Sequence, residues 1–163
     1  MFDLWKENNI LDAKINRILF FRGKMKIKTL QFGIKTKGHN DILDITSEVQ
    51  SLVIRSGIRE GSALVFVPGS TAGITTIEFE PGLLKDYPEF MEKIVSSNIS
   101  YEHDNTWHDG NGYAHIRAAL QGASFIVPFS NSNLLLGTWQ QIILVDFDNK
   151  SRNRNIIVQI SGE

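Results

Sequence analysis

The chain has 163 residues, 42% of them hydrophobic and 21% charged, a globular rather than a disordered composition that favours one domain with a usable core over two domains or a stapled miniprotein. Seventeen basic residues against eighteen acidic ones leave a formal charge of -1, too balanced for a protein held on nucleic acid by phosphate neutralisation. The absence of cysteine removes disulfides, thiolate zinc, iron–sulfur ligation and a cysteine nucleophile together, so any metal must be held by His, Asp or Glu. No apolar run approaches the length of a bilayer-spanning helix, and with no export signal a cytoplasmic location is expected.

Residues 1–24 differ in pattern from the rest of the chain. Leu4, Leu11, Ile15 and Ile18 recur at roughly helical spacing, and Ile18–Phe21 is too short for a secretory core. Two readings stand: an upstream extension with Met25 as the natural start, or an N-terminal helix that packs on a neighbour. From Lys26 the alternation of Leu30, Phe32 and Ile34 predicts a half-buried strand, which Asp41–Ile45 continues after a turn at Gly38–Asn40. Asp44 or Thr46 then caps a helix with Val49, Leu52 and Val53 inward, and Gly57 ends it.

Ala63–Val67 is a short apolar strand stopped by Pro68-Gly69, and Ile74–Phe79 is a β-branched one. Residues 81–96 read as a helix with Pro88 near its start. A polar loop runs from Tyr101 to Gly110, and Asn111 caps a helix over Gly112–Leu120 that stops at Gly122. Strands come next at Ser124–Pro128, Leu134–Phe147 and Asn155–Ile160, with Lys150, Arg152 and Arg154 at a solvated hairpin tip. Strands dominate, and helices are too few for regular βαβ alternation. The pattern fits an α+β single domain, an antiparallel β-sandwich with flanking helices.

Three of the four histidines, His103, His108 and His115, fall within thirteen residues beside Asp104, Asp109 and Asn111. Imidazole is the commonest transition-metal ligand, and three protein ligands with one open position define a catalytic zinc site, with Asp109 available to orient a ring nitrogen. The spacing matches no compact metal motif, and polar loop histidines with Asp109 and Asn111 as caps are the alternative. The Pro68–Gly73 turn offers backbone N–H groups and the Ser70 and Thr71 hydroxyls to an anion, or is simply a tight turn that needs glycine. Glu78 shares a strand face with Thr76 and Glu80; it is either solvated or a general base or ligand facing a pocket. Gly137 within an apolar run marks a bulge or close approach, with Gln140 a hydrogen-bond handle beside Trp139.

Taken together, Val67-Pro-Gly-Ser-Thr-Ala-Gly-Ile-Thr-Thr-Ile-Glu78, Tyr101-Glu-His103, Asp109-Gly-Asn-Gly-Tyr-Ala-His115, Leu136-Gly-Thr-Trp-Gln140, Asp146-Phe-Asp148 and Val158-Gln-Ile-Ser-Gly-Glu163 resemble the YjbQ-like family of small bacterial and archaeal proteins. The resemblance covers residues 25–163 and favours the extension reading of residues 1–24. It implies a β-sandwich with packed helices, a homotrimer, and a polar pocket around the histidines between subunits. It also implies a thiamine-phosphate synthase-like transfer, in which a hydroxymethylpyrimidine diphosphate joins a thiazole phosphate and pyrophosphate leaves.

Matched residue by residue, His103 and His115 fall on the family's recurrent histidines, Glu78 on its acidic residue, and Asn111, Thr138 and Gln140 on polar positions. His108 falls where no fixed histidine is expected. Gly69 stands where many relatives carry histidine, and Tyr113 where some do, so a metal shell would need Glu78, His108 or water. In the expected enzyme His103, His115 and Glu78 orient a divalent metal or shuttle protons, while Ser70, Thr71 and Arg117 hold phosphate. Imidazole-rich sites favour zinc, whereas a diphosphate calls for magnesium. A zinc-dependent hydrolase of a small phosphorylated metabolite and a non-catalytic anion-binding trimer are the alternatives.

Overall fold

The computed structural model describes residues 24–163. Apart from Lys24, the extension expected over residues 1–24 lies outside the described residues. The elements run β1 (Lys26–Thr36), β2 (Asp41–Asp44), α1 (Thr46–Ser56), β3 (Gly61–Phe66), β4 (Ala72–Ile77), α2 (Leu83–Ile94), α3 (Glu102–Trp107), α4 (Gly112–Gln121), β5 (Ser124–Ser130), β6 (Asn133–Leu134), β7 (Gln141–Asp146) and β8 (Arg152–Gly162). They form two antiparallel sheets, one in the order β1-β8-β3-β5-β6 and one in the order β2-β7-β4. The expected α+β sandwich is the fold observed.

β7 explains the layering. Its run Ile142–Val145 is fully buried, and alternate residues serve different cores. Ile142 and Leu144 join Val65, Ile74, Val158 and Ile160 between the sheets, where α1 adds Val49, Leu52 and Val53. Ile143 and Val145 face the other way and pack with Met91 of α2 and with Tyr113, Ala114 and Ala118 of α4. A strand covered on both faces needs a continuous apolar run rather than alternation. The helices therefore form a third layer over the smaller sheet, and α4 lies along β4.

Several local expectations change. β2 joins the smaller sheet, paired to β7, and does not continue β1. The turn between them carries three consecutive positive φ values, at Gly38, His39 and Asn40. The apolar stretch expected as one strand over Leu134–Phe147 is two strands in different sheets. Between them Gly137–Gln140 closes on itself, with Gln140 N–H donating to the Gly137 carbonyl (2.9 Å) and Gly137 N–H to Gln140 Oε1 (2.8 Å). Pro88 sits inside α2, not at its start, and deprives the Leu84 carbonyl of its i+4 donor. α2 buries only Met91. α1 starts at Thr46, but Ile45 rather than Asp44 or Thr46 takes the N-cap position, with Asp44 Oδ1 accepting from the Thr46 N–H at 2.9 Å, and Gly57 ends it in the left-handed region at φ 67°.

Arg152 and Arg154 are the largest correction. They belong to β8, not to a solvated hairpin tip. Asp146 and Asp148 are completely buried, and Arg154 is only 9% exposed. Arg154 grips Asp146 with Nε to Oδ2 (2.7 Å) and Nη2 to Oδ1 (2.6 Å). Arg152 Nε donates to Asp148 Oδ2 at 2.8 Å. Two buried carboxylates are tolerable here because each meets a guanidinium with charge-assisted hydrogen bonds.

Candidate functional site

The site is assembled on the N-terminal end of α4. Asp104 Oδ1 accepts from the Gly112 N–H at 2.9 Å, so the capping carboxylate comes from α3. Asn111 occupies the N-cap position without a side-chain cap bond. With the amide oriented so that its nitrogen rather than its oxygen faces Asp109, it donates to that carboxylate at 3.1 and 3.2 Å. Gly112 is required by close approach, since a Cβ there would lie 2.5 Å from Tyr101 Cβ. Asn149 Nδ2 donates to the Asp109 carbonyl at 2.6 Å and ties this corner to the turn after β7.

These constraints bring the two expected histidines together. His103 on α3 and His115 on α4 have ring centroids 4.2 Å apart with planes tilted by 43°. His103 Nε2 lies 3.7 Å from Asp109 Oδ1, and both side chains are about one-third exposed, at 31% and 38%. Burial, reinforced by the neighbouring His103, lowers the His115 pKa below its ordinary value; Asp109, Asp148 and Asp104 pull the other way. His115 is thus biased to the neutral form, ready to accept a proton, and a stronger donor once charged. The polar loop expected over Tyr101–Gly110 contains the short α3 that makes this pairing.

His108 does not join the pair. It ends α3 in the left-handed region at φ 55°, is exposed, and donates its backbone N–H to the Asp104 carbonyl at 2.9 Å. Among the described residues no three His, Asp or Glu side chains are grouped to hold a metal. Two imidazoles sharing a tetrahedral ion would have centroids about 5 Å apart, given nitrogen–metal bonds of about 2.0 Å. The observed 4.2 Å is ring contact rather than chelation. The donors of one chain therefore do not fit the divalent metal expected from the sequence.

A groove of about 290 Å³ adjoins His115, lined also by Gly69 and Ser70 of the β3–β4 turn and by Ala118, Ala119 and Gly122. Ser70 is thus placed with His115. Thr71 is not available, because its buried hydroxyl donates to Asp148 Oδ2 (3.0 Å) and accepts from Arg154 Nη2 (2.8 Å). Arg117, expected to hold phosphate, is 1% exposed and spends its donors inside the protein. It bonds the Val95 carbonyl through Nε (3.0 Å), Asn40 Oδ1 (2.8 Å) and Glu92 Oε2 (2.5 Å). That is the bonding of a structural clamp on the end of α2.

Glu78, Thr138 and Gln140 lie elsewhere. Gln141 pairs with Ile77, and its side chain accepts from the Phe79 N–H at 2.9 Å. This places Glu78 and the Gly137–Gln140 turn together, at the far end of β4. A strand rise of about 3.3 Å per residue sets Glu78 about 20 Å from Ala72. The expected residues therefore form two groups at opposite ends of the smaller sheet.

The residue that sequence reasoning missed is Arg154. Its signal lay in the strand alternation, because Ile156, Val158 and Ile160 point inward and two residues back along the same face is Arg154. Asp146 and Asp148 carry the complementary i, i+2 spacing across the turn.

Fold and site together define a small two-sheet α+β domain with an imidazole pair beside a helix-flanked groove. The chain belongs to the family described as UPF0047 protein YjbQ-like, whose model matches residues 30–163. It is 40% identical over 130 residues to a UPF0047 protein of Archaeoglobus fulgidus, covering 80% of this chain and 98% of that protein. It is 37% identical to the UPF0047 protein YugU of Bacillus subtilis, covering 83% and 99%. Among solved structures, a YbjQ-like protein of unknown function from Sulfolobus solfataricus matches with a TM-score of 0.81 at 35% identity, covering 86% of this chain and all of that one.

Proposed function

We propose that this protein is an enzyme acting on small phosphorylated metabolites, with His103 and His115 as its proton-transfer pair and a thiamine-phosphate synthase-like transfer as its reaction. The observation that carries this reading is the 4.2 Å approach of two partly buried imidazoles held on separate helices. In such a transfer the pyrimidine methylene–oxygen bond breaks, pyrophosphate leaves with the bonding electrons, and the thiazole nitrogen attacks the methylene carbon. A charged imidazole of the pair donates its proton to the departing oxygen and becomes neutral, and it regains a proton from solvent after pyrophosphate has left, while the second ring stays neutral beside it.

A cyclic homotrimer supplies the missing half of this pocket. Head-to-tail contacts bring two different surfaces together, here the His103–His115 end of one subunit and the Glu78, Thr138 and Gln140 end of the next. Exposed apolar residues support such assembly: Phe90 at 57%, Leu120 at 62% and Trp139 at 68%. A zinc hydrolase with Glu78 activating a metal-bound water would need the same interface, since one chain holds Glu78 apart from the histidines.

The test is pyrophosphate release from the two thiamine precursors by the full chain, with and without added magnesium or zinc. Release that falls about a hundredfold or more in His103→Ala is the expected outcome. Hydrolysis of phosphate esters without transfer would favour the hydrolase, and tight retention of a phosphorylated metabolite without turnover would leave a binding module.

A further inference from the structure

Arg154 has one nitrogen to spare. Its Nε and Nη2 are committed to Asp146 and Thr71, whereas Nη1 has no hydrogen-bond partner among the described residues. The one sealed side-chain nitrogen or oxygen lacking a partner among them is Gln121 Nε2, and Nη1 is not in that condition. It lies against Gly69: a Cβ built on that glycine would sit 3.1 Å from Nη1. Gly69 lines the groove beside Ser70 and His115. Nη1 is the one heavy atom that a Cβ on Gly69 would meet within 4 Å, so the glycine leaves this nitrogen of a nine-tenths buried guanidinium uncovered directly behind the groove wall.

From this geometry we infer that Arg154 Nη1 is the anchor of an oxyanion subsite, which holds a phosphate group of a small metabolite between the Gly69–Ser70 turn and His115. The Ser70 hydroxyl completes it, and the Gly69 and Ser70 backbone N–H groups, which have no backbone partner among the described residues, belong to the same turn. Asp146 and Asp148 balance Arg152 and Arg154, so the hub beneath carries no net charge and does not repel an anion. The hub also fixes the guanidinium plane before anything binds, and a preorganised fork loses little entropy on gripping an oxygen. This subsite rests on the reading of the histidine pair as a catalytic site only for what it adds to it, a handle for the phosphorylated end of the substrate.

Inorganic phosphate is the probe, titrated into the full chain labelled with ¹⁵N-arginine. The assigned Arg154 side-chain resonance shifts in a saturable way, and phosphate raises the melting midpoint. Gly69→Ala, which covers that nitrogen without touching the charge, weakens phosphate binding about tenfold. An unmoved Arg154 resonance in the wild-type protein overturns the inference, as does unchanged phosphate affinity in a folded Gly69→Ala variant. His103→Ala separates the two proposals, since His103 does not line the groove. Phosphate binding retained in a wild-type protein that turns over neither thiamine precursors nor phosphate esters sinks the enzyme and leaves the subsite. Turnover with a silent Arg154 sinks the subsite alone.

Discussion

Two charged clusters lie close together and are built on opposite principles. In the hub beneath the β3–β4 turn, Asp146 and Asp148 are sealed from solvent and each accepts from a guanidinium and from a threonine hydroxyl, Thr36 for Asp146 and Thr71 for Asp148. In the pair near it, His103, His115 and Asp109 stay partly open, and the nearest approach of His103 to its acid is 3.7 Å. A saturated buried network holds one geometry and resists change. A half-open pair with spare hydrogen-bonding capacity can take a proton or a ligand. Proximity to charge alone does not separate these roles; saturation does.

The comparison breaks most readily at Asp146. Replacing it with alanine leaves Arg154 charged, buried and without its bidentate partner, and the loss is expected at about 3–5 kcal/mol in equilibrium denaturation. A loss below about 1 kcal/mol would show that the hub is wet and that its sealing is not what stabilises it. Arg117 gives the next effect. Burial alone would raise the Glu92 carboxyl, but the Arg117 guanidinium and the Ser96 and Ser97 groups hold it at about 2, against an ordinary 4.5. Its folded pKa lies below the unfolded one, so Glu92 contributes stability that is fully present above pH 4.5 and is lost as pH falls toward 2. Arg117→Met should flatten stability across that window and lower the plateau above it. Acid titrations of both proteins, monitored by circular dichroism, check this.

How much of this was legible depended on whether the signal was local. The β7 run Ile142–Val145 announced a strand because both its faces are apolar, and Gly57 announced the end of α1 because a left-handed residue is needed there. The split of Leu134–Phe147 showed only as Gly137, read as a bulge or close approach, and Gln140, read as a hydrogen-bond handle, because closing the turn with the Gln140 side chain ends one strand and starts another in the other sheet. His103 and His115 were legible as candidates by crowding, but their meeting depends on α3, a six-residue helix with no buried face of its own. Arg117 and Arg154 were misplaced because charge is normally a surface label: Glu92, 25 positions away, makes Arg117 a core residue, and Asp146, 8 positions back across the turn, does the same for Arg154.

The smallest expected effect belongs to the pair itself. Burial and His103 lower the His115 pKa from the ordinary 6.5, so the folded state binds this proton less readily than the unfolded chain. Stability then rises with pH from the folded value up to about 6.5 and is level above it, because only in that window does the unfolded chain carry the extra proton. His115→Asn removes the titrating group and should abolish this shallow slope while shifting the plateau by less than about 1 kcal/mol, as suits a partly exposed side chain. Denaturant midpoints on the acidic and basic sides of that window measure both quantities. A slope that survives the substitution would assign the titration to another group. A plateau that collapses would place His115 with the sealed hub rather than with the open pair, and the division between the two clusters would fail at the member that defines its open side.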